Sequence, residues 1–515
     1  MVKYPVGEQS FENLRNEGFL YVDKTRYIEQ LIHGSKYYFL GRPRRFGKSL
    51  LLSAIKCFFE GKRELFKGLY IDSIDWNWDQ YPVLYLDINA EKYLCKEDLE
   101  RILRNHLEVW ETQYGRLTQT ESLSLRFANV IQSAYLSTGH HVVVLVDEYD
   151  KPLVNSLHDR ELYDYFRALL GSVYASFKSA ADYLRFVLLT GVSRFGKVSI
   201  FSGLNNLNDL SFDDAYANIC GITERELLDN FKEGIQELAI AENIAEAEIV
   251  DKLRRYYDGY RFSIDGDRLY NPFSLLNVMS KKRFANYWIE SGTPTLLLKQ
   301  LKRFNLDVES VVESIVPADQ LMGLDLDNAN VAALMYQTGY VTIKDYDKDF
   351  DEVRLGLPNL EVKRGFMTFL LPYYSSTKEK APFRISQFIH ELEIGDAQGF
   401  MGRLQSMLSD IPYEMEMECE RNVQNAFYIL AVLAGTYVKA EYHTSCGRID
   451  LLFKSSKYIY IIELKFDGTA EDALRQINSR EYSLPFSKDA RKLIKIGANY
   501  SSKRRTLDEW RIEIE

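Results

Sequence analysis

The 515-residue sequence has no CxxC pair, no apolar run near the length of a membrane span, and no excess of basic charge. Its five cysteines, Cys57, Cys95, Cys220, Cys419 and Cys446, are scattered and odd in number, which excludes a disulfide framework and a cysteine-based zinc site and fits a reducing compartment. No stretch approaches the ~20 apolar residues that cross a bilayer. The opening residues Met1-Val2-Lys3-Tyr4 form no apolar leader. These absences predict a soluble, cytoplasmic protein without a membrane partner. A net charge of −10 excludes a global polyanion footprint, so any nucleic acid must be met by local patches. The 12 prolines and 46% apolar residues argue for packed globular domains, and the length for roughly three or four of them.

What is present begins with a phosphate loop. Tyr37–Leu40 reads as a buried strand, Arg42-Pro43-Arg44-Arg45-Phe46-Gly47-Lys48-Ser49 as the loop, and Leu50 onward as a helix through Phe59. Strand, loop and helix in that order is the context phosphate binding requires. The backbone of Arg44, Arg45, Phe46, Gly47, Lys48, Ser49 and Leu50 is expected to line the phosphates at the helix N-terminus. Lys48 reaches the β- and γ-phosphates in this reading, and the Ser49 hydroxyl joins a Mg²⁺ shell. The spacing departs from the usual motif: Arg42 stands where its first glycine falls, and Gly41 precedes it. A plain Gly-Lys-Ser turn at a helix start is the simpler alternative.

His141–Val146 is a continuous β-branched run, the mark of a parallel strand buried on both faces. It ends in Asp147-Glu148. Asp147 is expected to hold the metal and Glu148 to act as general base toward the attacking water. A third strand, Arg185–Arg194, offers Thr190, Ser193 and Arg194 as γ-phosphate sensors, although Thr-Gly and Ser-Arg are ordinary strand exits. Strands alternating with helices over residues 1 to ~225 predict an α/β core with a mostly parallel sheet.

Tyr4-Pro5-Val6-Gly7, Tyr21-Val22-Asp23-Lys24-Thr25, the stretch Phe39–Ser49 and Ser199–Leu207 together resemble the AAA-ATPase-like family, bacterial proteins that carry a PD-(D/E)XK nuclease-like C-terminal domain. The resemblance runs nearly end to end. It implies an AAA-type ATPase core that binds ATP. It leaves a homo-oligomer open, since AAA-type proteins often form rings, but no residue stands out as a finger for a neighbour.

The middle of the chain predicts helices from ~225 to 290, with Thr223 as an N-cap, a glycine turn at Gly259 and a new helix from Asn271-Pro272. Leu334–Ile343 reads as helix, turn and strand, and Val353-Arg354-Leu355 as the return strand, a winged-helix-like unit. Its turn carries more acids than bases, which favours a structural role. Ala397–Leu408 reads as an amphipathic helix.

From Glu420 the order helix, three strands, helix, strand is that of a PD-(D/E)XK core. With Ser455-Ser456 as a two-residue turn, Lys454 pairs with Lys457, and Asp450 lies diagonal to Glu463. Alternation then puts Asp450, Glu463 and Lys465 on one face. Two carboxylates there can chelate Mg²⁺, and a lysine can orient water or neutralise transition-state charge. The resemblance adds Glu420 on the first helix and Gln476 on the later one; Tyr482 and Glu441 are accessory. Lys503-Arg504-Arg505 reads equally as a phosphate contact or a solvated charge run.

The expected divisions are an ATPase core over 1–225, a helical lid and winged-helix-like region over 226–370, a linker and helix over 371–412, and a nuclease-like domain over 413–515. The leading expectation is an ATPase coupled to Mg²⁺-dependent cleavage of DNA or RNA. The rival is an ATP-dependent switch whose C-terminal module only binds nucleic acid or a protein partner.

Overall fold

The computed structural model describes residues 2–515 except 90–91, 158, 195–205, 291–296, 298–306, 325–329, 374–384, 409–418, 436–438 and 443–449; the side chains of 419–422, 424 and 439–442 also lie outside the description. The chain divides into two compact units, Met1–Trp288 with Glu313–Asn359, and Ile289–Val312 with Leu360–Glu515. Among the described residues no helix is long and apolar enough to cross a membrane.

The first unit is built on a five-stranded sheet. Its strands are β1 (Tyr37–Gly41), β2 (Val83–Asp87), β3 (Val142–Asp147), β4 (Leu184–Gly191) and β5 (Asn208–Asp209), in spatial order β2-β3-β4-β1-β5. Every pairing is parallel. All six residues of β3 are buried, as helices on both faces of a parallel sheet require. The sequence reading lacked β2, whose pattern alternates between half-buried and buried because it is an edge strand. The C-terminal ends of β1, β3 and β4 converge, with Gly41 level with Gly191 and Leu40 with Thr190. Ligands of parallel sheets bind at that edge.

After β6 (Ile222–Thr223), Thr223 caps the helix Glu224–Asn230 with a reciprocal Thr223–Glu226 box. Strand β7 is Leu269–Tyr270, and Asn271 caps the helix Pro272–Lys281. The returning segment carries β8 (Ile315–Pro317), the helix Val331–Thr338, β9 (Thr342–Asp347) and β10 (Glu352–Gly356). These strands form an antiparallel sheet in the order β8-β10-β9, so the expected hairpin has a third strand.

The second unit holds the helix Cys419–Ala434 and a mixed sheet of β11 (Lys439–Tyr442), β12 (Leu451–Lys454), β13 (Tyr458–Phe466), β14 (Lys492–Ser501) and β15 (Thr506–Ile514), in that spatial order. Only β13 and β14 run parallel, and the crossover between them carries the helix Ala470–Ser479. That helix lies close on the sheet at Gly497, where a Cβ would stand 2.3 Å from the Ala470 carbonyl oxygen. The sequence reading lacked β15, whose alternating charges suit an edge strand.

Candidate functional sites

The phosphate loop leaves β1 at Gly41 and enters the helix Lys48–Phe59 through Gly47, whose φ of 98° is open to glycine alone without strain. A Cβ on Gly47 would meet nothing within 4 Å, so the space over the helix N-terminus is free for a ligand. Arg44, Arg45 and Gly47 are exposed, while Phe46 and Lys48 are buried and Ser49 and Leu50 half-buried. Phe46 packs edge-on against Tyr260 and Phe262. Lys48 spans the loop from inside, its Nζ donating to the carbonyls of Arg42 at 3.0 Å and Pro43 at 3.2 Å.

Arg42 explains how the loop does without its usual first glycine. Its side chain is buried, and the guanidinium donates to the carbonyls of Ser211 at 2.8 Å and Tyr216 at 3.0 Å. It also lies 4.6 Å above the Phe262 ring. An arginine's fork of donors thus fastens the loop entry to the segment after β5. The sequence reading took Arg42 only as a deviation in spacing. Two further contacts hold the loop: Trp288 Nε1 donates to the Arg44 carbonyl at 3.0 Å, and Pro43 fills the space a Cβ on Gly339 would need.

Asp147 ends β3, 5% exposed, and accepts hydrogen bonds from Thr190 Oγ1 at 2.8 Å and Tyr85 OH at 3.2 Å. Thr190 therefore orients the acid beside it. Glu148 follows at φ 53°, half-buried, which turns its side chain away from the strand direction. The expected sensors are tied down. Ser193 is buried, with its N–H on Asp150 at 2.6 Å and its carbonyl accepting from Tyr149 OH at 2.8 Å. Arg194 pairs with Asp209, and its N–H donates to Gln337 Oε1 at 2.8 Å.

Asp150 went unnoticed in the sequence. It is buried and accepts from the N–H groups of Val192 and Ser193, joining the exits of β3 and β4. Burial first, and then the nearby Glu148 charge, push its carboxyl up to about 6. A motif of three acids in four residues gave no sign of which one turns inward.

Beside Gly47 and Leu50 opens a cleft of about 610 Å³, lined by Tyr21, Val22, Leu51, Ile219, Cys220 and Leu276 among others. Its apolar walls and its contact with the loop suit the flat base of a nucleotide.

The second site is in the C-terminal sheet. Lys454 pairs with Ile459, not Lys457, so the turn spans Ser455–Tyr458 and the expected two-residue turn is corrected. The cause is Ser455, whose Oγ accepts from the Tyr458 N–H at 3.0 Å and closes a longer turn. The shift is by two residues, so faces are preserved. The pairing Leu451–Ile462, continued by one residue, sets Asp450 directly opposite Glu463 instead of diagonal to it.

Asp450 Oδ2 accepts from the Leu464 N–H at 2.8 Å, which holds the carboxylate across the strand pair. Glu463 is 3% exposed. Burial, and then the Asp450 charge, push its carboxyl up to about 7, and burial also raises Asp450. Gln476 on the crossover helix donates to Glu463 Oε1 and accepts from Lys465 Nζ at 2.5 Å. Lys465 Nζ lies 3.6 Å from Glu463 Oε1. Among the described residues Glu463 Oε2 is buried without a hydrogen-bond partner. A buried, partnerless carboxylate oxygen beside a second carboxylate fits a hard cation that keeps part of its water shell.

Among the described residues no third His, Cys, Asp or Glu joins this pair. Glu420 lies on the Cys419–Ala434 helix, but its side chain, like that of Glu441, is outside the description, as is Gly447-Arg448-Ile449. Tyr482 is buried in a cluster with Ile461 and Ile477.

Comparison with known proteins matches residues 5–201 to the predicted AAA-ATPase family, and residues 418–510 to the PD-(D/E)XK nuclease superfamily. Over 518 aligned residues, covering 98% of each chain, the sequence is 33% identical to an "Uncharacterized protein in vnfD 5'region" of Azotobacter chroococcum mcd 1.

Proposed function

Because this chain belongs to the predicted AAA-ATPase family that carries a C-terminal PD-(D/E)XK nuclease superfamily domain, we propose that it hydrolyses ATP and uses that reaction to control Mg²⁺-dependent cleavage of a nucleic-acid backbone. The observation that carries the nuclease part is the Asp450–Glu463 pair with its partnerless Glu463 Oε2.

In the ATPase the loop N–H groups and the helix N-terminus receive the phosphates, and the apolar cleft beside Leu50 takes the base. Lys48 exchanges its loop carbonyls for phosphate oxygens. Asp147, fixed by Thr190, and Ser49 are the groups to hold Mg²⁺, and Glu148 the group to accept a proton from water. Arg44 and Arg45 face the phosphates' solvent side. Ser193 and Arg194 serve by position, through Asp150 and Gln337, as the link that feels what happens at β4.

In the nuclease Asp450 and Glu463 would hold Mg²⁺, which supplies charge stabilisation and an acidified water when bound. Lys465 is held by Gln476 where it can orient that water or offset charge on the phosphate. Glu420 completes the acidic set in the family resemblance. The coupling reading draws on chain order. The segment that braces the loop through Gly339 and Gln337 lies between the two pieces of the second unit, so it is joined to that unit at both ends.

The test is cleavage of labelled single- and double-stranded DNA and RNA with Mg²⁺, with and without ATP. The parent chain is expected to cut at least one substrate, Glu463→Ala to cut none while still releasing phosphate, and Glu148→Gln to bind ATP without turnover. A parent chain that hydrolyses ATP but leaves every substrate whole removes the nuclease reading. A partner held equally by parent and Glu463→Ala would then favour the switch.

A further inference from the structure

We propose that the turn Ser502–Arg505 is a clamp for the phosphate backbone of nucleic acid, set a few nucleotides from the point of cleavage; this rests on the nuclease reading for its distance, though not for its charge. Strands β13 and β14 run parallel and end together, with Phe466 level with Tyr500. The turn that closes β14 onto β15 therefore projects from the same end of the sheet as Lys465.

The turn is anchored there. The Asp467 N–H donates to the Tyr500 carbonyl at 2.9 Å, and Asp467 accepts from the Ser502 N–H at 2.8 Å and the Ser502 hydroxyl at 2.6 Å. Lys503 and Arg504 are exposed, and among the described residues no carboxylate is recorded against either. The acids at this end of the sheet are engaged elsewhere. Asp467 takes Ser502, Asp508 takes Asn499 at 2.9 Å, and Glu509 lies 3.7 Å from Arg511.

Backbone geometry adds a second observation. Arg505 sits at φ 54°, a left-handed position that glycine fills without strain and other residues fill at a cost of about 1 kcal/mol. Three consecutive cations, one of them in such a position, occur in a chain whose net charge is −10. A solvated charge run would have no need of the strained residue.

Distance along the strand sets the register on a ligand. From Glu463 to Phe466 is three residues, about 10 Å at ~3.3 Å per residue, and the turn lies up to about 5 Å beyond. Phosphates of one strand advance ~3.4 Å per nucleotide along a duplex axis. The clamp thus meets the backbone roughly three to five nucleotides from the scissile phosphate.

The experiment uses the full chain in EDTA, with fluorescein-labelled 20-nucleotide DNA and RNA, single- and double-stranded, over a KCl series. The variant is Lys503→Ala/Arg504→Ala/Arg505→Gly, in which glycine relieves the left-handed residue and protects folding. A control of similar charge loss, Lys457→Ala/Lys488→Ala, removes two exposed cations from the other end of the sheet. The turn variant is expected to bind at least tenfold more weakly near 0.1 M salt, with the slope of log K against log salt flattened by about two on duplex. The control is expected to match the parent. Equal affinity and slope in parent and turn variant, an equal loss in the control, or no binding by the parent would each overturn the clamp. Weakened binding by the turn variant while the parent cuts nothing would keep the clamp and remove the nuclease reading. Cleavage by the parent with unchanged binding by the turn variant would do the reverse.

Discussion

Substituting Gly497 by alanine perturbs the nuclease site without touching any group that carries its chemistry. A Cβ on Gly497 would stand 2.3 Å from the Ala470 carbonyl oxygen, 2.5 Å from the Leu474 nitrogen and 2.9 Å from the Leu474 Cβ. All three atoms belong to the crossover helix, and two are backbone, so no side-chain rotation relieves the overlap. Ordinary carbon contacts need about 3.5 Å, and the helix must retreat by about 1 Å. Gln476 moves with it. Its 2.5 Å bond to Lys465 stretches to about 3.5 Å, at the limit of a hydrogen bond. The expected cost is about 1–3 kcal/mol of stability in the second unit, and a fall of roughly 100-fold in cleavage rate, the usual effect of a 1 Å misplacement. ATP hydrolysis on the same preparation is expected to be unchanged. Gly402→Ala is the matched control: it lies inside the helix Ala397–Leu408, a Cβ there meets nothing within 4 Å, and a gain of about 0.5–1 kcal/mol is expected. Cleavage and ATPase rates, with hydrogen exchange of the Ala470–Ser479 amides, report all three quantities. Parental cleavage and parental protection in Gly497→Ala would refute the claim that the helix position sets the site.

Glu463→Gln should abolish cleavage yet stabilise metal-free protein. The folded carboxyl titrates at about 7 against an ordinary 4.5, so its charge costs stability as pH rises between those values, reaching about 3 kcal/mol above pH 7. Hydrogen exchange of β13 and β14 should therefore show more protection than parent at pH 8 and little difference at pH 5. Asp150 carries the same sign in the first unit: raised from 3.8 to about 6, it lowers stability by about 3 kcal/mol as pH rises through that window. Asp150→Asn should flatten that slope in β3 and β4 protection, and an unchanged slope would count against the buried charge. Arg42→Lys keeps the charge but cannot reproduce the bonds to Ser211 and Tyr216; ATP affinity measured by calorimetry should fall at least tenfold, with unchanged affinity contradicting the bracing role.

The sequence conveyed most where one physical constraint dominates. Strand β3 is legible because burial on both faces demands an unbroken apolar run, and the phosphate loop because Gly47 needs a positive φ. Face-sharing by Glu463 and Lys465 is legible from strand alternation alone. What escaped depends on contacts between distant residues. The Ser455 hydroxyl chose the turn length, and so the register. Arg42 finds its partners about 170 residues onward, at Ser211 and Tyr216. The edge strand β15 pairs with β14 but reads as a charged tail, since one side of it faces water.

The interleaving of the two units has a consequence for how the chain is made. Residues 289–312 belong with the second unit, yet they leave the ribosome before 313–359, which belong with the first. The Val308 N–H finds its acceptor, Asn425 Oδ1, 117 residues later at 2.9 Å. The first unit can close once residue 359 has emerged, while the early piece of the second must wait, unpaired, for its remainder. A truncation that ends near residue 360 should therefore yield a folded first unit trailing an apolar loop, and that loop is where proteases and chaperones would find it.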